Sequence, residues 1–306
     1  MLGILSILHC CVDACSVTVF VVAEQDMALG LLYNALAFAM QLPMGVFLDR
    51  RPVPLRLCLA ISGAMLLGGV ALLVAGCHVA AVSVACLGNA LFHVSAGKHL
   101  LETRDGASGP QGLFISTGAL GLTAGLKFGC DYMSLCISIP FAVYAALALW
   151  TWKREDARSI GAGTARRFVW SAPNWRTLAS VLVVAFLFAL VAWRGWSAML
   201  AGDRMAQADS GGWFVIAVMA AIWCGKALGG YIADRTGVAK VVVPSLVGSM
   251  ALWLVASPQN TLAWVSLIFV AQLATGPVLR CLYLGCARRG GLAFGLNCLA
   301  LFAGSF

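Results

Sequence analysis

Four side chains suited to handling a proton sit inside runs of apolar sequence. His9 and Asp13 lie in the first run, and Asn89 and His93 in the fourth. Within each pair the spacing is i, i+4, which puts both residues on one helix face. A carboxylate inside a membrane is costly unless paired, protonated or hydrated, so it is a functional candidate by default. Imidazole titrates near neutral pH. Asp13 is therefore the expected proton-coupling carboxylate, with His9 and His93 tuning it. The plainer alternative is that Asn89 and His93 only tie two helices together by hydrogen bonds.

Other polar residues inside apolar runs are Lys127, Arg194, Lys226, Gln272 and Asn297. Lys127 and Arg194 fall near the outer ends of their runs, where a long side chain can snorkel to the interface. Trp193 and Trp196 beside Arg194 fit an interfacial aromatic belt. Lys226 precedes Asp234 by two helical turns, about 12 Å in depth, which is long for snorkelling. Arg194, Lys226, Gln272 and Asn297 are the candidate substrate or charge contacts. His9, Cys10, Asp13 and Cys15 are close in sequence but fan around a helix, so no metal is expected. The sequence has no His-Glu-x-x-His, no Gly-x-Ser-x-Gly and no phosphate-cradling Gly-x-x-x-x-Gly-Lys-Ser/Thr. Neither an enzyme nor a cofactor is expected, and energy for work would come from an ion gradient.

The elements that must position these residues are membrane spans. The chain has 306 residues, 61% hydrophobic and 10% charged, against about 25% charged in a soluble domain. A span takes about 20 apolar residues. Such stretches lie near 2–22, 28–48, 55–76, 79–97, 111–129, 133–152, 177–199, 212–233, 239–256 and 261–281, with part of another at 290–306. The expected fold is an all-α polytopic helix bundle. Most of the twelve cysteines lie within these spans, as small apolar packing residues rather than disulfides. The first stretch lacks a basic n-region and a small-residue cleavage site, so it reads as a retained helix.

Lys and Arg sort by side. Loops after even-numbered spans hold Arg50, Arg51, Arg56, Lys98, Arg104, Lys153, Arg154, Arg158, Arg166, Arg167, Arg176, Arg235, Lys240, Arg280, Arg288 and Arg289, whereas loops after odd-numbered spans hold Arg204 alone. This asymmetry places the N-terminus and the loop at 153–176 in the cytoplasm, with the chain in the cytoplasmic (inner) membrane. The net charge of +8 is spread over short loops, not gathered in the dense stripe that nucleic acid requires.

One signature occurs twice. Gly45-Val-Phe-Leu-Asp49-Arg50 closes the second span and Gly230-Tyr-Ile-Ala-Asp234-Arg235 the eighth, 185 positions apart, and Gly237 follows the second copy. An internal duplication divides the chain into 1–152, a linker at 153–176, and 177–306. By that offset Phe306 corresponds to Gly121, in mid-span. The sequence is thus expected to stop inside an eleventh span, short of a twelve-helix whole. The fifth span also carries Gly118, Gly121, Gly125 and Gly129. Such a face suits tight packing, static or sliding between the halves.

Two six-helix repeats joined by a basic linker, each with Gly-x-x-x-Asp-Arg after its second helix, resemble the major facilitator superfamily. The first copy departs from the family pattern at Arg51-Pro52-Val53-Pro54, where Gly-Arg-Arg is usual. The resemblance implies that Gly45, Asp49, Arg50, Gly230, Asp234, Arg235 and Gly237 form gating clamps. There, Asp holds a neighbouring Arg and a helix N-terminus, and stabilises the outward-facing state. His9-x-x-x-Asp13 together with Gly88-Asn-Ala-Leu-Phe92-His93 looks like the fosmidomycin-resistance branch. That implies proton-coupled export of a small organic solute or drug. The expected partners are the solute, protons and the lipid bilayer, without nucleic acid, and the expected state is a monomer. Uptake by symport, or a non-transporting sensor, are the alternatives.

Overall fold

In hydrocarbon the backbone must satisfy its own hydrogen bonds, so a long apolar run becomes a helix. The computed structural model describes residues 1–23, 26–51, 53–154, 175–207, 213–256 and 260–305. Among them are eleven helices and no strand. They are α1 (Leu2–Val22), α2 (Met27–Arg50), α3 (Leu55–Val74), α4 (His78–Thr103), α5 (Ser108–Phe128), α6 (Met133–Arg154), α7 (Trp175–Gln207), α8 (Trp213–Thr236), α9 (Ala239–Val255), α10 (Thr261–Gly285) and α11 (Gly290–Ala303). Most of the linker expected at 153–176 lies outside the described residues.

Two spans are not regular. α2 contains a π turn at Ala35–Ala39. α10 is interrupted at Ala274 and restarts at Thr275, just before Gly276-Pro277, where proline supplies no backbone N–H. Side chains start two helices: Asp26 accepts from the Leu29 N–H at 2.6 Å, and Asn260 from the Ala263 N–H at 3.0 Å. These caps satisfy donors that a helix start leaves open.

Packing relies on glycine. A Cβ at Gly121 would strike the Cys10 carbonyl, so α5 lies directly on α1. The expected Gly118–Gly129 face therefore packs within the first half of the chain and not between halves. Gly109 and Gly112, about two turns earlier and on another face, make the contact with α8 through Tyr231 and the Lys226 carbonyl. Within the first half the Tyr144 hydroxyl of α6 donates to the Leu59 carbonyl of α3 at 2.7 Å, above Gly63. The main core runs through both halves, with Phe92, Phe114 and Phe294 fully buried at its centre.

The outside is apolar. Ile139, Val143 and Leu149 of α6 and Val243, Val247 and Met250 of α9 are exposed. Bare hydrocarbon of this extent suits lipid and not water. Among the described residues seven helices are long and apolar enough to cross a membrane, and three shorter apolar helices accompany them. α5 is not among the seven despite its 21 residues; glycine, serine and threonine dilute its hydropathy because protein, not lipid, covers it. The chain is a multi-pass membrane protein.

Candidate functional site

α1, α4 and α5 meet at a buried polar cluster. His9 and Asp13 share the inner face of α1, and Asn89 and His93 that of α4, so the structure joins all four. His9 Nε2 lies 3.3 Å from Asp13 Oδ2, and His93 Nε2 3.4 Å from Asp13 Oδ1. Asn89 Nδ2 donates to Asp13 Oδ1 at 2.8 Å and to Ser16 Oγ at 2.9 Å. The Asp13 side chain keeps 15% of its surface accessible, so the cluster is nearly but not wholly sealed.

The hydrogen bonds fix both imidazole tautomers. His9 Nδ1 is 2.7 Å from the Phe114 carbonyl, and His93 Nδ1 is 2.8 Å from the Asn89 carbonyl. A carbonyl oxygen only accepts, so each Nδ1 carries the hydrogen, and each neutral ring then has a bare Nε2. These two atoms face each other at 2.6 Å. Two lone pairs repel at that distance; one proton between them turns the contact into a short hydrogen bond. The arrangement therefore calls for one proton beyond the neutral rings, and the Asp13 carboxylate balances its charge.

A divalent cation is the other species such donors attract. His9, Asp13 and His93 each offer a ligand atom within 4.8 Å of the others, and they come from two helices, not one as the sequence suggested. Nitrogen ligands at about 2.0–2.1 Å from a tetrahedral ion keep roughly 3.3 Å between themselves. The 2.6 Å gap fits a proton and would have to widen for a metal.

Ser16, Phe114 and Gly118 complete the site; the sequence expectation lacked Ser16 and Phe114 and had Gly118 only as part of a packing face. Ser16 sits at i+3 from Asp13, which was the available signal. Phe114 contributes its carbonyl and a ring 4.5 Å from that of His9. A Cβ at Gly118 would collide with His9 Nε2 and Asp13 Oδ2, so glycine makes room for the cluster.

Arg194 does not snorkel: it is 4% exposed, inside the bundle. Lys226 is half-buried on α8, and its ammonium is within electrostatic range of Asp13 and His93. Lys127 is exposed over the Phe128 ring. Gln272 accepts from Thr275 Oγ at 3.1 Å, an intrahelical tie. Asn297 is 1% exposed with Oδ1 unpartnered.

The duplicated motif lies at one end of the bundle. Asp49 accepts from the Gly291 and Leu292 N–H groups at 3.0 and 2.8 Å, at the start of α11. Asp234 accepts from the Ser108 and Gly109 N–H groups at 2.9 and 2.7 Å, at the start of α5. Neither helix has a side-chain cap of its own. The cation is a lysine in the first copy and an arginine from another helix in the second. Asp49 pairs with Lys98 at 2.8 Å, and Lys98 also holds Glu102; Asp234 pairs with Arg280 at 3.2 Å. Arg50 and Arg235 are exposed and form no ion pair among the described residues. Gly45 and Gly230 each lie where a Cβ would strike the opposing backbone, at Gly291 and Ser108 respectively. Gly237 has φ +101°, which only glycine adopts readily.

No family model matches this sequence. No curated protein matches it either. Solved structures do. A major facilitator superfamily transporter, FucP, in the outward conformation, superposes with a TM-score of 0.69 over 99% of this chain and 89% of that chain, at 13% identity. The E. coli fucose:proton symporter FucP gives 0.68, with 99% and 88% covered, at 13% identity. The nucleoside transporter NupG gives 0.55, with 99% and 88% covered, at 15% identity. At these identities the likeness is one of fold.

Proposed function

We propose that this chain is a proton-coupled secondary transporter of the major facilitator superfamily. It would move a small organic solute by alternating access between its halves, residues 1–152 and 177–306. The shared-proton contact between His9 and His93 on Asp13 carries the reading, because a scaffold has no need of it. The fold of the solved neighbours and the paired clamps support it.

In this reading the proton binds between the two Nε2 atoms, and Asp13 supplies the countercharge. The whole site belongs to the first half, so rocking leaves it intact and changes which side reaches it. What changes opposite the cluster is Lys226, carried by the second half, whose ammonium repels a proton on His93 when the two approach. The clamps at Asp49 and Asp234 hold the cytoplasmic end shut, consistent with the Lys and Arg asymmetry. Closure there leaves the opposite side as the entry.

Export by antiport rests on the resemblance of the α1 and α4 motifs to the fosmidomycin-resistance branch. Uptake by symport is the second reading, favoured by the fucose:proton symporter among the neighbours. A tolerance screen of drugs and metabolites in cells expressing the protein selects solutes. Proteoliposomes enclosing a pH dye then report solute-driven proton movement and its direction. Wild type should couple and Asp13→Asn should not. Transport by Asp13→Asn with unchanged dependence on the pH gradient would sink the coupling role.

A further inference from the structure

We infer that the solute is an organic oxyanion, bound between Arg194 of α7 and Lys226 of α8 and held together with the proton. This rests on the transporter reading above and adds the chemical class of the substrate.

The observation is a charge imbalance. Arg194 is 96% buried, Lys226 is half-buried, and neither has a carboxylate within 4 Å among the described residues. The other acidic groups whose side chains are described do not serve them: Asp49, Glu102, Asp105 and Asp234 are paired elsewhere, Asp26 caps α2, and Asp131 is exposed. The two cations act on each other, and the Cys298 thiol of α11 is in electrostatic range of Arg194, Lys226 and Asp13 at once. Both cations therefore lie near Cys298 of α11, and Lys226 also reaches the His9–Asp13–His93 cluster. Among the described residues Asp13 is the one carboxylate there. It already balances the shared proton and accepts from Asn89.

Burying a cation without a partner is expensive. Two fixed cations and one shared proton against one carboxylate leave two positive charges in excess. An entering carboxylate or phosphoryl group removes that cost. Guanidinium suits it because its donors form a planar fork. Asn297, beside Cys298, keeps an unpartnered buried oxygen that can accept from a hydroxyl of the same solute.

The geometry also sets the sign of coupling. Proton and anion attract, so each raises affinity for the other by the same factor. Groups facing the cluster from other helices are Tyr33, Lys226 and Cys298, with Arg194 behind Lys226 and Cys298; the Lys226 ammonium opposes protonation until the anion screens it. Binding together is the requirement of symport. Antiport would need proton and solute to compete.

The test is ligand-induced thermal stabilisation of the purified protein in detergent. Probes are acetate, succinate and glycerol phosphate beside acetamide, succinamide and glycerol, at acid and alkaline pH. An anion should stabilise wild type, more at acid pH, and its neutral counterpart should not. Acetate or succinate answering alone marks a carboxylate site; glycerol phosphate alone marks a phosphoryl site. Arg194→Gln and Lys226→Gln should each weaken that response about tenfold or more, with Arg194→Lys intermediate. Without ligand both Gln variants should melt no lower than wild type, since each loses an uncompensated charge. The inference is overturned if no anion stabilises wild type, if neutral probes do so equally, or if both ligand-free variants melt lower. Proton flux driven by a neutral solute and lost in Asp13→Asn would overturn the anion site and leave the transporter reading standing. Anion binding without proton flux would overturn the transporter reading instead.

Discussion

Asp49 and Asp234 do one task at two corners of the bundle: each caps the first turn of a helix from the opposite half of the chain. Helix starts expose N–H donors and the positive end of the dipole. A carboxylate there ties the halves together and satisfies both. The two corners are unequal. Lys98 at the first is 8% exposed, whereas Arg280 at the second is 36% exposed, so water replaces the second partner more easily.

Asp49→Asn is therefore expected to cost the closed state about 1–3 kcal/mol, and Asp234→Asn about 1 kcal/mol. Hydrogen exchange reads this directly. The Gly291 and Leu292 amides should exchange faster in the first variant, and the Ser108 and Gly109 amides in the second. Unchanged exchange at all four would rule out the clamps.

Gly118→Ala is expected to spread the His9–Asp13 pair and abolish proton coupling while the protein still folds, at about 1–3 kcal/mol of overpacking. Gly3→Ala, where a Cβ meets nothing within 4 Å, is the control and should be neutral or slightly stabilising. Solute-driven proton flux with melting temperature compares them; full coupling in Gly118→Ala contradicts the site.

The His9–His93 contact needs a proton, so its population should fall as pH rises. Nitrogen-15 NMR of histidine-labelled protein should show two Nε2 signals changing in one coupled step. In His93→Gln the His9 signal should titrate alone. Independent titration of the two rings in wild type would remove the shared proton.

Gly45→Ala and Gly291→Ala should each prevent α2 and α11 from closing, because each residue occupies the other's Cβ space. Both variants should part the two helices at that end, seen as raised thiol labelling of Cys286, which is 8% exposed and near Asp49. Wild-type labelling in both would mean that the close approach is dispensable.

Much of this was legible in the sequence. Apolar length located the eleven helices, and i, i+4 spacing put His9 with Asp13 and Asn89 with His93. What joined the two pairs was not legible, because it depends on Gly118 and on the Phe114 carbonyl of a third helix. Lys98 reads as a loop charge, yet α4 runs on to Thr103 and buries the lysine between two carboxylates. Arg194 reads as interfacial from its tryptophan neighbours. Trp193 and Trp196 instead pack with Trp253, and Arg194 turns inward. Hydropathy gives depth along a helix poorly when the residue faces other helices.

The π turn in α2 has a geometric effect on everything beyond it. The buried residues of that span are Leu29, Tyr33, Ala37, Gln41, Gly45 and Leu48. Spaced mostly by four, they gain about 40° per step on a helix of 3.6 residues per turn, roughly 160° from Leu29 to Gly45. The one residue absorbed at Ala35–Ala39 takes back about 100° of that drift. Leu29 and Gly45 thus share an inward azimuth that a regular helix would deny them. Deleting one residue within 35–39 should keep that alignment, whereas deleting one at 40–44 should turn Gly45 about 100° away from Gly291 and part α2 from α11.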